Sequence, residues 1–249
     1  MKAMILCAGL GTRLRPWTLE HPKALVPVGG IPMLKRVSDH LAEIGFDRQV
    51  VNVHHFASQI VDYINGGNLK APDMKISDES ECLLDTGGGI LHARKFLDID
   101  DSPFLIHNVD ILSDADLNDL MEYHYVSGND VTLLVSDRDS SRKLLFREDM
   151  CLKGWMNLKT GESKPASLEI TAKDQLSAFS GIYVMSPSVF KAMDSEGFSG
   201  SFPIMSFFLD SIGKVKIGGY MQEDMHLIDI GKPDTLSMAD GIANPTGKR

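Results

Sequence analysis

The stretch ILCAGLGTRLRPWTLEHPKALVPV, residues 5–28, joins an apolar run to a loop that carries glycines and cations. No polar residue interrupts the run before Gly9, which is typical of a strand buried on both faces. The loop then combines Gly9 and Gly11 with Arg13, and Lys23 follows. Glycines allow backbone N–H groups to approach a ligand closely, and the two cations attract anions. The stretch therefore predicts a phosphate-binding loop at the carboxyl end of a buried strand.

Apolar runs alternate with segments of helical period along the first half of the chain. In one such segment Leu34, Val37 and Leu41 recur at helical spacing before Gly45. Strand-like runs lie at residues 49–55, 74–79, 103–110 and 130–137, and helical segments at 33–46, 56–67, 88–97 and 114–128. The alternation predicts an α/β fold with a mainly parallel, mixed sheet flanked by helices. After residue 138 we expect strands joined by turns, then helices over 188–197 and 203–213 and a closing helix over 233–243.

Composition and charge narrow the possible functions. The 249-residue chain has a net charge of −9, which argues against a nucleic-acid binder. Its three cysteines, Cys7, Cys82 and Cys151, form neither a metal pair nor a disulfide framework, and no apolar run is long enough to span a membrane. The apolar stretch after Lys2 is too short for a secretory signal. We expect a cytoplasmic protein with no membrane partner.

Other glycine-rich nucleotide motifs fit the loop poorly. A dinucleotide-binding loop needs a third glycine where Leu14 stands, and a P-loop needs a different spacing before its lysine. What remains is Gly-x-Gly-Thr-Arg, followed by Pro22 and Lys23. We predict that Gly9 and Gly11 let backbone N–H groups reach a phosphate, and that Arg13 and Lys23 bind its oxygens.

Residues 6–34 resemble the signature of the sugar-1-phosphate nucleotidylyltransferases, a G-x-G-T-R-L-x-P loop followed by P-K-x-L-x-P-V. The similarity continues through LLDTGGGI (83–90), FLIHNVD (104–110), FSGIYVMSPSVF (179–190) and IDIGKPDTL (228–236). Within that family the sequence is most similar to the short bacterial N-acetylmuramate-1-phosphate uridylyltransferases.

The resemblance implies a Rossmann-like nucleotide-diphospho-sugar transferase fold and a single domain over residues 1–249. Residues 1–137 would form its nucleotide-binding half and 138–249 its sugar-binding half. The implied reaction is Mg²⁺-dependent transfer of a nucleotidyl group from UTP to N-acetylmuramate 1-phosphate. A guanylyltransferase for mannose or heptose 1-phosphate, a cytidylyltransferase for phosphocholine and a non-catalytic nucleotide-binding regulator stay open as alternatives, as does the oligomeric state.

The same resemblance implies that the loop after the first strand binds the nucleotide and assigns the catalytic and metal-binding residues. The nucleotide-binding residues of this loop would be Ala8, Gly9, Gly11, Thr12, Arg13 and Lys23. Arg13 and Lys23 would stabilise charge on the phosphates, and Asp110 and Asp229 would hold Mg²⁺. Two carboxylates together with substrate phosphates are a common way to bind this ion. The family has glycine where this chain has Val109, whose branched side chain disfavours a positive φ, so we expect the backbone there to stay extended.

Base and sugar contacts are predicted on three further segments. The glycines of 81–93 would leave backbone groups open to a pyrimidine, with Thr86, Gly87 and Gly88 in contact and a helix that begins near Ile90. Asn108 would bind the ribose or the sugar. The other sugar-binding candidates are Arg142, Trp155, Asn157 and Gly181. Glu162 and Lys164 fit either a sugar-phosphate contact or a charged turn.

Overall fold

Strands and helices alternate along most of the chain. The structure, a computed structural model, describes residues 1–222, 225–231, 235 and 236. The strands are β1 (Lys2–Leu6), β2 (Pro27–Val28), β3 (Ile31–Pro32), β4 (Arg48–Val53), β5 (Asp73–Asp78), β6 (Phe104–Asn108), β7 (Ile111–Ser113), β8 (Val131–Ser136), β9 (Arg142–Phe146), β10 (Leu152–Asn157), β11 (Ser163–Lys164), β12 (Gln175–Met185), β13 (Ile217–Met221) and β14 (Leu227–Asp229). The helices are α1 (Met33–Glu43), α2 (Ala57–Asn65), α3 (Asp85–His92), α4 (Arg94–Leu97), α5 (Leu117–Ser127), α6 (Ser188–Ser195) and α7 (Ile204–Asp210). Most of the closing helix predicted over 233–243 lies outside the described residues.

The central sheet is mixed, as predicted. Its order β5-β4-β1-β6-β12-β8-β13 combines parallel pairs with the antiparallel strand β12. In the register of the three parallel strands β4, β1 and β6, Leu6 pairs with Asn52 on one side and with Asn108 on the other. The carboxyl ends of these strands therefore lie level at one edge of the sheet.

Strand β12 also belongs to a second, antiparallel part of the sheet. Its first residues pair with β9, and the order continues through β10 to β11. The register of β12 against β8 shifts between Phe179 and Tyr183, where Gly181 has a left-handed φ of +83°. A residue with a side chain is strained in that conformation, so glycine suits this irregularity.

Successive residues of β1 pack on opposite faces of the sheet. Ala3 and Ile5 join a core with α1, α2 and α5, whereas Met4 and Leu6 join a core with α3, α4, α6 and α7. Helices thus cover both faces, which explains why β1 has no polar residue beyond the buried Lys2. No helix in the described part of the chain is long and apolar enough to cross a membrane.

Several elements differ from the sequence-based expectation, and the short strands β2, β3 and β11 were not predicted. The predicted helix over 88–97 is wrong in its bounds, because α3 already begins at Asp85 and a separate short helix, α4, follows it. Strand β7 was not predicted. It pairs antiparallel with β14 in a small two-stranded sheet that follows the turn after β6.

A buried histidine links α5 to the central sheet. The Nδ1 atom of His124 lies 2.8 Å from Thr132 Oγ1, and its Nε2 atom lies 2.9 Å from Ser186 Oγ. The residue is 3% exposed, and this burial lowers its pKa to about 4, although Asp130 acts in the opposite direction. The folded protein therefore resists protonation of this ring, whereas the unfolded chain accepts a proton near pH 6.5.

We predict that His124 makes folding sensitive to mild acid. Between pH about 6.5 and about 4 the unfolded state binds more protons at this site, so His124 lowers stability by about 2 kcal/mol from pH 7 to pH 5. Buried His107, whose pKa is also lowered to about 4, adds a separate loss of the same sign. Urea unfolding at the two pH values measures the sum. His124→Gln should remove the His124 contribution and leave that of His107, whereas the exposed His40→Gln should keep the His124 contribution. An unchanged slope in His124→Gln would contradict the assignment.

Candidate active site

A cleft of about 520 Å³ opens at the level edge of the parallel strands. Its walls come from the loop after β1, from the carboxyl ends of β4 and β6, and from the start of α3. The lining residues are Leu6, Ala8, Gly9, Leu10, Gly11, Thr12, Arg13, Lys23, Asn52, Leu83, Asp85, Thr86, Asn108, Val109, Asp110, Ser201 and Gly231. Ligands of open α/β sheets bind at this edge, so the cleft is the candidate active site.

The two glycines of the loop after β1 have different structural roles. A Cβ atom on Gly9 would meet nothing within 4 Å, so the backbone there is open to a ligand. Gly11 has a left-handed φ of +60°, and a Cβ atom on it would lie 2.8 Å from Thr18 Cγ2 and 2.9 Å from Lys23 Cβ. The Thr18 hydroxyl donates to the Gly11 carbonyl at 2.9 Å. Gly11 therefore lets the chain fold back and bring Lys23 to the cleft.

Among the described residues, Lys23 and Arg13 are the cations that line the cleft. Lys23 Nζ is paired with Asp110 Oδ2, and each side chain is only 14% exposed. The Arg13 guanidinium lies against Gly231, where a Cβ atom would be 2.6 Å from Arg13 Nη2. No described residue accepts a hydrogen bond from the Arg13 side chain, so its planar fork is available to an anion.

The small β7–β14 sheet brings the backbones of the two predicted metal ligands, Asp110 and Asp229, close together, although Asp229, unlike Asp110, does not line the cleft. Asp229 pairs in register with Ile111, the residue after Asp110, and the Ile230 N–H donates to the Asp110 carbonyl at 2.9 Å. Asp229 Oδ1 accepts from the Gly231 N–H at 2.8 Å. No described residue donates a hydrogen bond to Asp110 Oδ1 or to Asp229 Oδ2.

This donor set fits Mg²⁺, which takes one or two carboxylates and completes its shell with water and phosphate oxygens. The described residues contain no group of three or more histidine, cysteine or acidic side chains arranged to hold a metal. A softer ion such as a structural Zn²⁺ would need such a group. Two carboxylates leave the coordination shell of Mg²⁺ incomplete, so an ion bound here would also need water or phosphate oxygens.

Two buried polar residues, Asn52 and Glu79, form hydrogen bonds beside the cleft. Asn52 Oδ1 accepts from the Cys7 N–H at 2.7 Å, and its Nδ2 donates to Glu79 Oε1 at 2.8 Å. Glu79 also accepts from the Leu84 N–H at 3.4 Å, and burial raises the pKa of its carboxyl. The pair thus joins the loop after β1 to the entrance of α3. Sequence reasoning missed Asn52, although a polar residue at the end of a buried strand was a usable signal.

The glycines of α3 pack closely against neighbouring residues and do not line the cleft. Cβ atoms on Gly87, Gly88 and Gly89 would lie 2.2 Å from Phe202, 2.1 Å from the Gly200 carbonyl and 2.6 Å from Glu79, respectively. The N–H groups of Gly87 and Gly88 both donate to the Phe202 carbonyl. The expectation that Gly87 and Gly88 offer open backbone groups is therefore wrong. Thr86 does line the cleft, together with Leu83 and Asp85, which were not predicted.

The structure brings only part of the predicted sugar site to the cleft. Asn108 lines it, and Gly181 packs on Asn108, because a Cβ atom there would lie 2.6 Å from Asn108 Nδ2. The remaining three candidates, Arg142, Trp155 and Asn157, lie on β9 and β10 and do not line the cleft. Their contact with a sugar stays a prediction.

Two further expectations concern neighbouring turns. Val109 has no positive φ, but it lies in the turn between β6 and β7, so the expectation of an extended backbone there is not confirmed. Glu162 and Lys164 belong to the β10–β11 hairpin, where the Glu162 carbonyl accepts from the Asn157 N–H at 2.8 Å. Both interpretations of this exposed pair stay open.

A cation-lined cleft beside two carboxylates, at the carboxyl edge of a mostly parallel sheet, defines a nucleotide-binding α/β protein. The chain belongs to the nucleotidyl transferase family, whose model matches residues 2–240.

Relatives with curated names include enzymes for two different nucleotides. The chain is 43% identical over 110 residues to the N-acetylmuramate alpha-1-phosphate uridylyltransferase of Caulobacter vibrioides, a match that covers 43% of this chain and 45% of the relative. It is 31% identical over 238 residues to the mannose-1-phosphate guanyltransferase of Aspergillus fumigatus, covering 87% of this chain and 62% of the relative. The matched region thus spans less than two thirds of either relative.

Solved structures confirm the fold class. HddC from Yersinia pseudotuberculosis, complexed with GMP-PN, superposes with a TM-score of 0.74 at 24% identity and covers 97% of this chain and 98% of its own. A UDP-glucose pyrophosphorylase complexed with UDP-glucose gives a TM-score of 0.76 at 16% identity, with 98% of each chain covered.

We predict that Gly231→Ala weakens nucleotide binding with little effect on the fold. The new Cβ would lie 2.6 Å from Arg13 Nη2 and 2.7 Å from Asp229 Oδ1, so both groups must move. Displacement of this size should lower the affinity for UTP with Mg²⁺ by about tenfold or more. Calorimetry measures the affinity, and the melting curve without ligand is the control. Wild-type affinity in a normally folded variant would show that Gly231 does not position these groups.

Proposed function

We propose that this protein transfers a uridylyl group from UTP to N-acetylmuramate 1-phosphate, with Mg²⁺ as cofactor, and releases pyrophosphate. The observation that carries the proposal is the cleft itself, which brings Arg13, Lys23, Asn108 and Asp110 to one edge of the sheet. The choice of substrates is supported by the 43% identity to the Caulobacter relative. A cytoplasmic site of action, proposed with it, is supported by three cysteines that form no disulfide.

The reaction needs no covalent intermediate on the protein. An oxygen of the sugar 1-phosphate attacks the α-phosphorus, the new P–O bond forms, and the bond to the β-phosphate oxygen breaks in line. The electron pair of the broken bond leaves with pyrophosphate. Catalysis then depends on position and on neutralisation of charge, as in phosphoryl transfer generally.

Arg13 and Lys23 supply the protein's own positive charge. The open backbone at Gly9 receives the phosphates, and the Arg13 fork donates two parallel hydrogen bonds to the α-phosphate oxygens as charge develops there. Lys23 holds phosphate oxygens as a point charge. Because Lys23 is paired with Asp110 without ligand, nucleotide binding exchanges a carboxylate for a phosphate as its partner.

Asp110 and Asp229 would hold Mg²⁺, which when bound would neutralise the phosphates that meet in the cleft. Asn108 has an amide that can donate to a ribose or sugar hydroxyl and accept from it. Its Nδ2 atom lies beside Gly181, where a larger residue would displace it.

A second candidate is transfer of a guanylyl group to mannose 1-phosphate. It is favoured by the length of the match to the Aspergillus fumigatus relative, which covers 87% of this chain. The two candidates share the reaction and the phosphate-binding residues, and they differ in the base and the sugar.

A substrate matrix tests the proposal. UTP, GTP, CTP and dTTP are each incubated with N-acetylmuramate, mannose and glucose 1-phosphates, and the nucleotide sugar is measured by mass spectrometry. We expect the highest kcat/KM for UTP with N-acetylmuramate 1-phosphate and no product after chelation of divalent ions. A preference for GTP with mannose 1-phosphate would replace the first candidate by the second, and no product from any pair would refute both.

We predict that Arg13→Ala lowers kcat/KM by ~10²–10⁴-fold, because one source of transition-state charge stabilisation is lost. Arg15→Ala is the matched control, since Arg15 is exposed and lines a different surface groove with Trp17 and His21. It should stay within about twofold of wild type. Full activity of Arg13→Ala in steady-state assays would remove Arg13 from the mechanism.

A further inference from the structure

The carboxylate of Glu79 is buried beside the cleft without a cation to pair with it. Glu79 follows β5 and is only 3% exposed, and no described lysine or arginine lies within salt-bridge distance of its carboxylate. Burying a charge is costly unless hydrogen bonds satisfy it. The groups that donate to Glu79 therefore indicate what this residue does.

The hydrogen bonds of Glu79 lead to two different walls of the cleft. Towards the loop after β1, Glu79 Oε1 accepts from Asn52 Nδ2 at 2.8 Å, and Asn52 Oδ1 accepts from the Cys7 N–H at 2.7 Å. Towards α3, Glu79 Oε2 accepts from the Leu84 N–H at 3.4 Å. The Cys7 and Leu84 N–H groups, which end this series of bonds, directly adjoin residues that line the cleft.

The backbone of Glu79 is held on both sides. Its N–H donates to the Val53 carbonyl at 2.8 Å, just beyond the register of β4 with β5. Its carbonyl accepts from the Cys82 N–H at 3.1 Å and lies 2.7 Å from His54 Nδ1. The side chain of Glu79 therefore extends from a backbone that is tied both to β4 and to the loop before α3.

The charge of Glu79 suits its partners. An ionised carboxylate only accepts hydrogen bonds, and Asn52 and Leu84 both donate to it. Burial raises the pKa of Glu79, whereas these two hydrogen bonds lower it. The nearby His92 and His54 also lower it. The hydrogen bonds thus offset part of the cost of burying the carboxylate.

A nucleoside triphosphate that fills the cleft would meet both walls. In the proposed function its phosphates lie at the loop after β1, beside Arg13 and Lys23, and its nucleoside lies towards the entrance of α3. When two parts of one ligand bind two sites, the affinity of the whole depends on the spacing of those sites. A spacing that is fixed before binding lowers the cost of ordering the site.

We propose that Glu79, acting through Asn52, is a positioning residue that holds the loop after β1 and the entrance of α3 at the spacing that one nucleoside triphosphate needs. The inference deepens the proposed function and rests on it. Glu79 does not line the cleft, so it acts on the distance between the two walls and leaves the contacts within each wall unchanged.

Glu79→Gln tests this role with little change of shape. The amide oxygen of Gln can still accept from Asn52 Nδ2, but its NH₂ group then faces the Leu84 N–H, which is also a donor. The bond towards α3 is lost, and that towards the loop after β1 is kept. Glu81→Gln is the matched control, because Glu81 is exposed in the same loop and does not line the cleft.

Gly89→Ala disturbs the same bonds from the side of α3 without changing any charge. A Cβ atom on Gly89 would lie 2.6 Å from Glu79 Oε1 and 3.0 Å from Asn52 Nδ2, so the two side chains would have to move apart. Alanine favours a helix more than glycine does, so helix propensity does not explain a loss. This variant also keeps the test open if Glu79→Gln folds poorly, which the melting curves show.

The readout compares a whole nucleotide with its parts, all in the presence of Mg²⁺. Calorimetry gives Kd for UTP, and NMR titration gives Kd for pyrophosphate and for uridine. GTP and guanosine are measured in parallel, and the base that wild type prefers is used. We expect both Glu79→Gln and Gly89→Ala to weaken triphosphate binding by about tenfold or more, and to change pyrophosphate and nucleoside binding by less than about twofold. Glu81→Gln should change none of the three.

Three results would overturn the inference. These are unchanged triphosphate affinity in the folded variants, an equal loss for the triphosphate and one of its parts, which would assign Glu79 to a single wall, and a wild type that binds neither triphosphate. Failure of the proposed function looks different. In that case wild type binds a triphosphate but forms no product with any sugar phosphate, and the comparison of whole and parts still decides the role of Glu79.

Discussion

The site depends on the level register of three parallel strands. Since Leu6 pairs with both Asn52 and Asn108, the loop after β1 emerges between two polar side chains at a shared edge. A shift of the register by one residue would reverse the face of every side chain in β1. Ala3 and Ile5 would then exchange cores with Met4 and Leu6. The link from Asn52 to the Cys7 N–H then fixes where the loop begins. The start of the loop after β1 is therefore held in place by buried contacts, although the loop itself is exposed.

The electrostatics of the cleft depend on the ion pair between Lys23 and Asp110. These two side chains neutralise each other and are partly buried, whereas Arg13, beside Gly231, pairs with no acidic side chain in the described part of the chain. Burying either Lys23 or Asp110 alone would carry a large desolvation cost, which the pair reduces. A phosphate could take the place of Asp110 beside Lys23, and a divalent cation could take the place of Lys23 beside Asp110. The two ligands together could therefore replace both partners of the ion pair. A phosphate without the cation, or the cation without a phosphate, would leave one buried charge uncompensated.

Local patterns predicted the first half of the sheet, α1 and the glycine-containing loop after β1 that lines the cleft, because those elements follow from hydrophobic period and glycine placement. They failed where distant residues decide the outcome. Gly87, Gly88 and Gly89 suggested open backbone groups, yet they lie in a helix packed against Phe202, Gly200 and Glu79. Strand β7 forms only because β14 returns from the far end of the sequence. The positive φ of Asp85 was not predicted either.

Strand β12 lies between β6 and β8, although it follows both in the chain by dozens of residues. During synthesis on the ribosome the sheet must wait for it, so β6 and β8 emerge with unsatisfied edges and no partner between them. Exposed edges of this kind invite pairing between chains. Truncated products that stop short of Met185 would be aggregation-prone by this route, and the nascent protein is most exposed to chaperones over that interval.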